Sequence, residues 1–237
     1  MSISTKYGRT YHYDFSPGTT SDDRINHNWR NDVQKFKTII HTEKLDGENT
    51  CLSELGVFAR SHAAPTLHPW ADHLKIKQRI ISNDLKENNI EIFGENLYAI
   101  HSIIYPKLEH HFYVFAIRVL DKWLSWDEVK WYAEFFDFPV VPELSIQNTN
   151  DTELIKKTVM GISSLPSIFE SIQNKTSPPK ICTREGIVSR NIEEYNVESF
   201  AQNVFKFVRK NHVQTDEHWS KTITRAMLKH EWEAKNK

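Results

Sequence analysis

KTIIHTEKLDGENTCLSELGVFARS, residues 37–61, contains three short runs of strand character: KTIIHTEK, NTCLSE and GVFARS. With Asp46-Gly47 and Leu55-Gly56 between them, they predict consecutive antiparallel strands joined by tight turns. The first run ends in Glu43-Lys44-Leu45-Asp46-Gly47-Glu48-Asn49. A lysine at the end of a strand, directly before a glycine-containing turn, is carried on a rigid element and can still face a cleft. Lysine is a nucleophile only when neutral. With a reference pKa near 10.4, roughly one in a thousand or fewer is neutral at pH 7. A catalytic lysine therefore needs desolvation, neighbouring cations or a bound metal. The plain alternative is a surface lysine paired with Asp46 or Glu43, and the four letters KLDG do not exclude it.

Moving outward, residues 1–36 are polar and aromatic, with a turn at Pro17-Gly18, and are expected to form an N-terminal extension packed on the core. Downstream, Ala71 to Asn88 carries Leu74, Ile76, Ile80, Ile81 and Leu85 near a helical period. IEIFGENLY and HFYVFAIRVL read as strands. Ser125-Trp126-Asp127-Glu128 has the form of a capped helix start running to about Phe136, and another helix is expected after Asn150-Asp151. SIQNKTSPPK reads as a loop, and GIVSR and NVFKFVRK as strands. Residues 215–237 predict a final helix with Trp219, Ile223, Met227 and Leu228 on its apolar side. The sum is an α+β fold, antiparallel β-sheets with flanking helices.

The 237 residues suffice for one well-buried domain, and 39% hydrophobic with 26% charged residues is ordinary globular composition. A net charge of -1 leaves any nucleic-acid partner to a local patch. Cys51 and Cys182 stand far apart with no CxxC, so neither a zinc site nor a disulfide framework is expected. There is no secretion signal at the N-terminus and no apolar run long enough for a bilayer, so a cytoplasmic protein with no membrane partner is expected. The sequon at Asn174 is then incidental.

Four further features follow the lysine in order: Arg60-Ser61, Glu95 in IFGENLY, Glu185 opening EGIV, and Lys206 with Arg209-Lys210 in NVFKFVRK. Each has a bland account, as strand-end acid, surface ion pair or charged edge strand. Together with KLDG and the aromatic strand HFYVFAI, the ordered set resembles the covalent nucleotidyltransferase superfamily of DNA ligases, RNA ligases and capping enzymes. Asn49, five residues after the lysine, resembles the nick-sealing RNA ligases of phage type, where DNA ligases usually carry arginine. The resemblance covers about Lys37 to Asn211 and implies an ATP-grasp-like adenylyltransferase domain over residues 37–212, with residues 213–237 as a C-terminal helix.

What the resemblance implies can be stated residue by residue. Lys44 attacks the α-phosphate of ATP to form lysyl-AMP, AMP passes to an RNA 5′-phosphate, and a 3′-OH displaces it to seal the strand. Glu43, Asn49 and Arg60 join the nucleotide- and phosphate-binding set, with Glu95 on the ribose hydroxyls and Phe115 stacking on adenine. Glu185 is expected near the metal, Mg²⁺ or Mn²⁺. Lys206 neutralises the α-phosphate and helps to lower the pKa of the nucleophile.

The match departs from the family in three places. Ala116 follows Phe115 where many members have Asp, which leaves Tyr113 as an alternative for the stacking ring. Val208 stands two residues after Lys206 where a second lysine is common, so that cation is left to Arg209 or Lys210. About twenty-five residues follow this strand, too few for an OB domain. Lys221, Arg225 and Lys229 are then candidates for a small basic face. The alternatives are a minimal ATP-dependent DNA ligase, a GTP-using capping transferase, and a catalytically silent protein that binds nucleic-acid ends.

Overall fold

The computed structural model describes residues 4–174, 176–210 and 223–235. A first sheet of six strands contains β1 (Tyr11–Tyr13), β2 (Ile25–Asn26), β3 (Thr38–Lys44), β10 (Glu143–Asn148), β13 (Gly186–Asn191) and β15 (Val204–Val208), in the spatial order β10-β3-β13-β15-β1-β2. A second six-stranded sheet contains β4 (Glu48–Ser53), β5 (Gly56–Phe58), β6 (Ile90–Asn96), β8 (Phe112–Val119), β9 (Lys122–Trp123) and β14 (Tyr195–Asn196), in the order β14-β9-β8-β6-β4-β5. The short strands β7 (Ile103–Ile104), β11 (Ile172–Gln173) and β12 (Lys180–Ile181) form a third sheet. Two of these strands lie in the segment SIQNKTSPPK and its border, which is therefore not wholly loop. Among these strands pairing is antiparallel except that β1 runs parallel to both β15 and β2.

Among the described residues six α-helices flank the sheets: α1 (Trp29–Val33), α2 (Asp72–Glu87), α3 (Trp126–Phe135), α4 (Thr152–Ser163), α5 (Phe200–Asn203) and α6 (Lys229–Lys235). α3 starts at a complete capping box, with Ser125 and Glu128 exchanging side-chain bonds to each other's backbone N–H, and Asp151 caps α4 through the Leu154 amide. In α2, Leu74, Ile81 and Leu85 are buried against the second sheet, whereas Ile76 and Ile80 face outward.

β3 alternates strictly. Ile39, on one face, packs with Ile187 and Phe205 against Trp29 and Val33 of α1 and Ile155 and Val159 of α4. Ile40, on the other, joins Val204 and the buried residues of the second sheet in the main core. By the period of two, Thr42 and Lys44 share the Ile40 face, toward the second sheet, and His41 and Glu43 the helix-covered face.

KTIIHTEK and NTCLSE do not form the expected hairpin. β3 is flanked on both sides by β10 and β13, so no ladder position remains for β4, which pairs instead with β6 and β5. Leu45-Asp46-Gly47 is the crossing between sheets. Asp46 anchors it: its carboxylate accepts from the Ser102 N–H and Oγ and the Ile103 N–H at 2.7–2.8 Å. The second turn does close a hairpin, with Ser53 opposite Gly56, whose φ of 127° is open to glycine. At the other end, residues 223–228 are not helical. The backbone of Thr224 and Ala226 bonds to Ile100 and Tyr98, and helix begins only at Lys229; Trp219 and Lys221 lie outside the described residues. The N-terminal extension, likewise, adds two strands to the first sheet.

Candidate active site

The crossing places Lys44 at the rim of a cavity of about 830 Å³ between the two large sheets. Lys44 Nζ donates to both Glu185 oxygens at 2.7 and 2.8 Å, and the Glu185 side chain is 6% exposed. Both residues stand at strand ends held in register, since Gly186 pairs with Lys44 across β13 and β3. Burial works to lower the Lys44 pKa, but the charges of Glu185 and Glu95 outweigh it and raise the value above that of an ordinary lysine. In this state the lysine is held protonated, contrary to the expectation of a nucleophile already depressed by cations. Burial pushes Glu185 up to about 7 and Glu95 up to about 8, with Lys44 opposing both shifts.

Glu95 accepts from the Gly47 N–H at 3.1 Å and pairs across β4 and β6 with Asn49; both line the cavity. Arg60, after β5, lines it from an exposed position. Phe115 enters through a β-bulge. Val114 opposes Gly94 and Ala116 opposes Phe93, which leaves Phe115 as the additional residue and re-aims its ring. A side chain at Gly94 would meet the Phe112 ring at 2.3 Å and the Tyr113 carbonyl at 2.7 Å, so this close approach requires glycine. Tyr113 packs instead on Phe169 and is not among the cavity-lining residues.

Glu43 contributes backbone to the cavity wall. Its carboxylate lies on the opposite face of β3, accepts from the Ile168 N–H at 3.4 Å and sits 3.6 Å from Arg184. Lys206 lines the cavity beside Val188 and donates to Asp23 at 3.0 Å. Neither Arg209 nor Lys210 is a lining residue. Additional positive charge comes from Lys6, Arg9 and Arg190. Arg190 is 5% exposed and donates to the Phe115 carbonyl. Arg225 is bound to Glu231 at 2.9 Å and Lys229 lies 3.5 Å from Glu109, so these two of the three candidates for a basic face stand beside acids, and Lys221 lies outside the described residues.

The donors present fit a magnesium-sized ion. Glu185 and Glu95 are buried carboxylates raised chiefly by desolvation, so their charged forms gain from a nearby cation. Among the described residues no group of three or more His, Cys, Asp or Glu side chains forms a cage. That is compatible with an ion held by one or two carboxylates, with phosphate oxygens and water completing the shell.

Lys44, Glu95 and Lys206 thus line one cavity from three strands, with Glu185, just before a fourth, bonded to Lys44, and the model of the RNA ligase family matches residues 37–208. The chain belongs to the RNA ligase family. Solved structures with the same fold include Naegleria gruberi RNA ligase as a mutant with AMP and Mn (TM-score 0.56, 18% identity, 86% of this chain and 56% of that chain). A second mutant with ATP and Mn gives a TM-score of 0.53 at 18% identity, over 86% of this chain and 56% of that one. The form with PPi gives 0.53 at 18% identity, over 87% and 61%. This member therefore spans about 56% of the length of that relative. The curated proteins contain no match to it.

Among the residues of this RNA ligase family member that carry no motif signal, Asp23 and Arg190 line the cavity, and His12 adjoins Asp23 and Lys206. Arg190 could have been found by alternation, since Gly186, Val188 and Arg190 share one face of β13. His12 and Asp23 could not, because only the parallel pairing of β1 with β15 brings them to the site. No helix among the described residues is long and apolar enough to cross a membrane.

Proposed function

We propose that the chain is an ATP-dependent RNA ligase that works through a lysyl-AMP at Lys44. In the first step Lys44 Nζ, having lost its proton to solvent, attacks the α-phosphorus of ATP, an N–P bond forms, the bond to the α,β-bridging oxygen breaks and pyrophosphate leaves. In the second, a 5′-phosphate oxygen of an RNA end displaces Lys44 from the AMP phosphorus. In the third, a 3′-OH attacks the activated 5′-phosphate and AMP leaves. The observation that carries this reading is Lys44 itself: a cavity-facing lysine bonded to a buried glutamate, inside the segment matched by the family.

Placement supports the following roles. Phe115, re-aimed by the bulge, offers its ring to the adenine, while Glu95 and Asn49 lie side by side for ribose and phosphate contacts. Lys206, Arg60, Arg9 and Arg190 set positive charge around the phosphates, where charge builds in the transition state. Glu43 braces the strand end through Arg184. Glu185 keeps Lys44 protonated while the two are paired, so the nucleophile is released only when that carboxylate is drawn away. A divalent cation held by Glu185, with Glu95 close by, would supply that pull and stabilise the phosphoryl charge.

The test is covalent labelling. With α-labelled ATP and Mg²⁺ or Mn²⁺ the wild-type protein is expected to acquire label that survives denaturation and alkali but is released by acid, as a phosphoramidate is, and to release pyrophosphate, and Lys44→Ala to acquire none. Label that persists in Lys44→Ala overturns the assignment of the nucleophile. Preference for GTP would redirect the reading to a capping transferase. Sealing of nicked DNA in preference to RNA would redirect it to a DNA ligase.

A further inference from the structure

The N-terminal segment lays a connected row of polar groups against Lys206. His12 of β1 pairs in register with Lys206 of β15. Lys206 Nζ donates to Asp23 Oδ1 at 3.0 Å, and the same oxygen lies 3.0 Å from His12 Nε2. Asp23 Oδ2 accepts from the Thr20 N–H and Oγ, each at 3.0 Å. On the far side of the ring, His12 Nδ1 is 2.8 Å from Ser16 Oγ, which itself accepts the Val208 N–H at 3.0 Å.

Ser16 Oγ also donates to the Val208 carbonyl at 3.5 Å, and His12 Nε2 meets Asp23 as a close contact. Burial, with Lys206 adding to it, pushes His12 down to about 4, so the ring is neutral near pH 7. The Ser-His-Asp order superficially resembles a hydrolase triad. Ser16, however, is 7% exposed and its oxygen already serves a backbone amide, so it is no nucleophile.

We propose that Asp23, clamped by Thr20 and packed against His12, is a positioning residue for Lys206, holding its ammonium in the cavity where the α-phosphate binds. This rests on the ligase reading of the site. A lysine side chain has four rotatable bonds and loses substantial entropy when fixed. A counter-ion already held by the two Thr20 donors fixes it before the nucleotide arrives, which is what preorganised charge stabilisation requires. Bonds donated by Thr20 also spread the charge of Asp23, so a carboxylate can stand near phosphate at reduced repulsion.

The test uses the full chain in two readouts. In single-turnover labelling with ATP, Asp23→Asn is expected to slow adenylylation about tenfold at saturating ATP while leaving the ATP KM within about threefold, and Asp23→Glu to recover most of the rate. Independently, acylation of Lys206 by acetic anhydride, followed by mass spectrometry, is expected to run several-fold faster in Asp23→Asn, because the amine is released. Unchanged acylation overturns the proposal, as does wild-type-like labelling by Asp23→Asn, or a loss confined to KM. Should wild-type protein not take up label, the ligase reading falls, while acylation still decides the Asp23–Lys206 contact. If Asp23→Asn does not fold, Thr20→Ala removes one clamp only. It is expected to slow labelling in the same direction by a smaller factor, and an unchanged rate there counts against the proposal.

Discussion

Glu95 shows how a single side chain can report the purpose of its surroundings. Burial holds its pKa at about 8, against an ordinary carboxyl value of 4.5. An acid whose folded-state pKa is raised contributes stability that is complete below its unfolded pKa and is lost as pH rises through the folded one. Wild-type protein is therefore expected to lose thermal stability between about pH 5 and pH 8. Glu95→Gln, with nothing to ionise, is expected to lose less. Thermal unfolding at pH 5.5 and 8.5 checks this: the variant's advantage in Tm must grow with pH, and a difference independent of pH would contradict the assignment. The same substitution is expected to slow labelling of Lys44, the usual sign of a strained functional group. Lys44, Glu95, Glu185 and Lys206 were legible in the sequence because their chemistry is carried in ordered motifs. Asp23 and His12 were not, since an acid in TSDDR and a histidine in YHY match no such pattern.

Among the elements, β6 and β8 make the site by breaking their own regularity. The bulge at Phe115 exists because one strand is a residue longer than its partner there, and Gly94 lets the backbones approach. Gly94→Ala would drive a methyl group into the Phe112 ring and the Tyr113 carbonyl. It is expected to destabilise the protein by about 1–3 kcal/mol and to weaken ATP-dependent labelling together with stability. A lowered Tm with unaltered labelling would show that the bulge does not aim Phe115. Helices α3 and α4 were readable from Ser125-Glu128 and Asp151, because capping is local chemistry between neighbours in sequence. The strand KTIIHTEK was readable as a strand; its partners were not. Pairing depends on which edges remain free, and β10 and β13 come from residues about a hundred positions or more away.

At the scale of the molecule, the cavity is walled by both large sheets, with the N-terminal segment from Lys6 to Thr10 along its rim. A ligand that touches both sheets stabilises the folded state by mass action, about 2.7 kcal/mol at one hundred times its Kd. A non-cleavable ATP analogue with Mg²⁺ is expected to raise the Tm by several degrees, and the Lys206→Ala variant to show a smaller rise. Equal shifts in both would place the nucleotide elsewhere. The sequence by itself determined the α+β class, the capped helices and the lysine, acids and second lysine of the site, since periodicity, capping and motif order are properties of nearby or ordered residues. Only the tertiary structure decided that Asp46-Gly47 is a crossing between sheets and that Lys44 rests paired with Glu185. It also decided that Phe115 rather than Tyr113 enters the cavity, and that Asp23 reaches Lys206. Each of these depends on long-range pairing, where register and burial set distances and charges that no local pattern encodes.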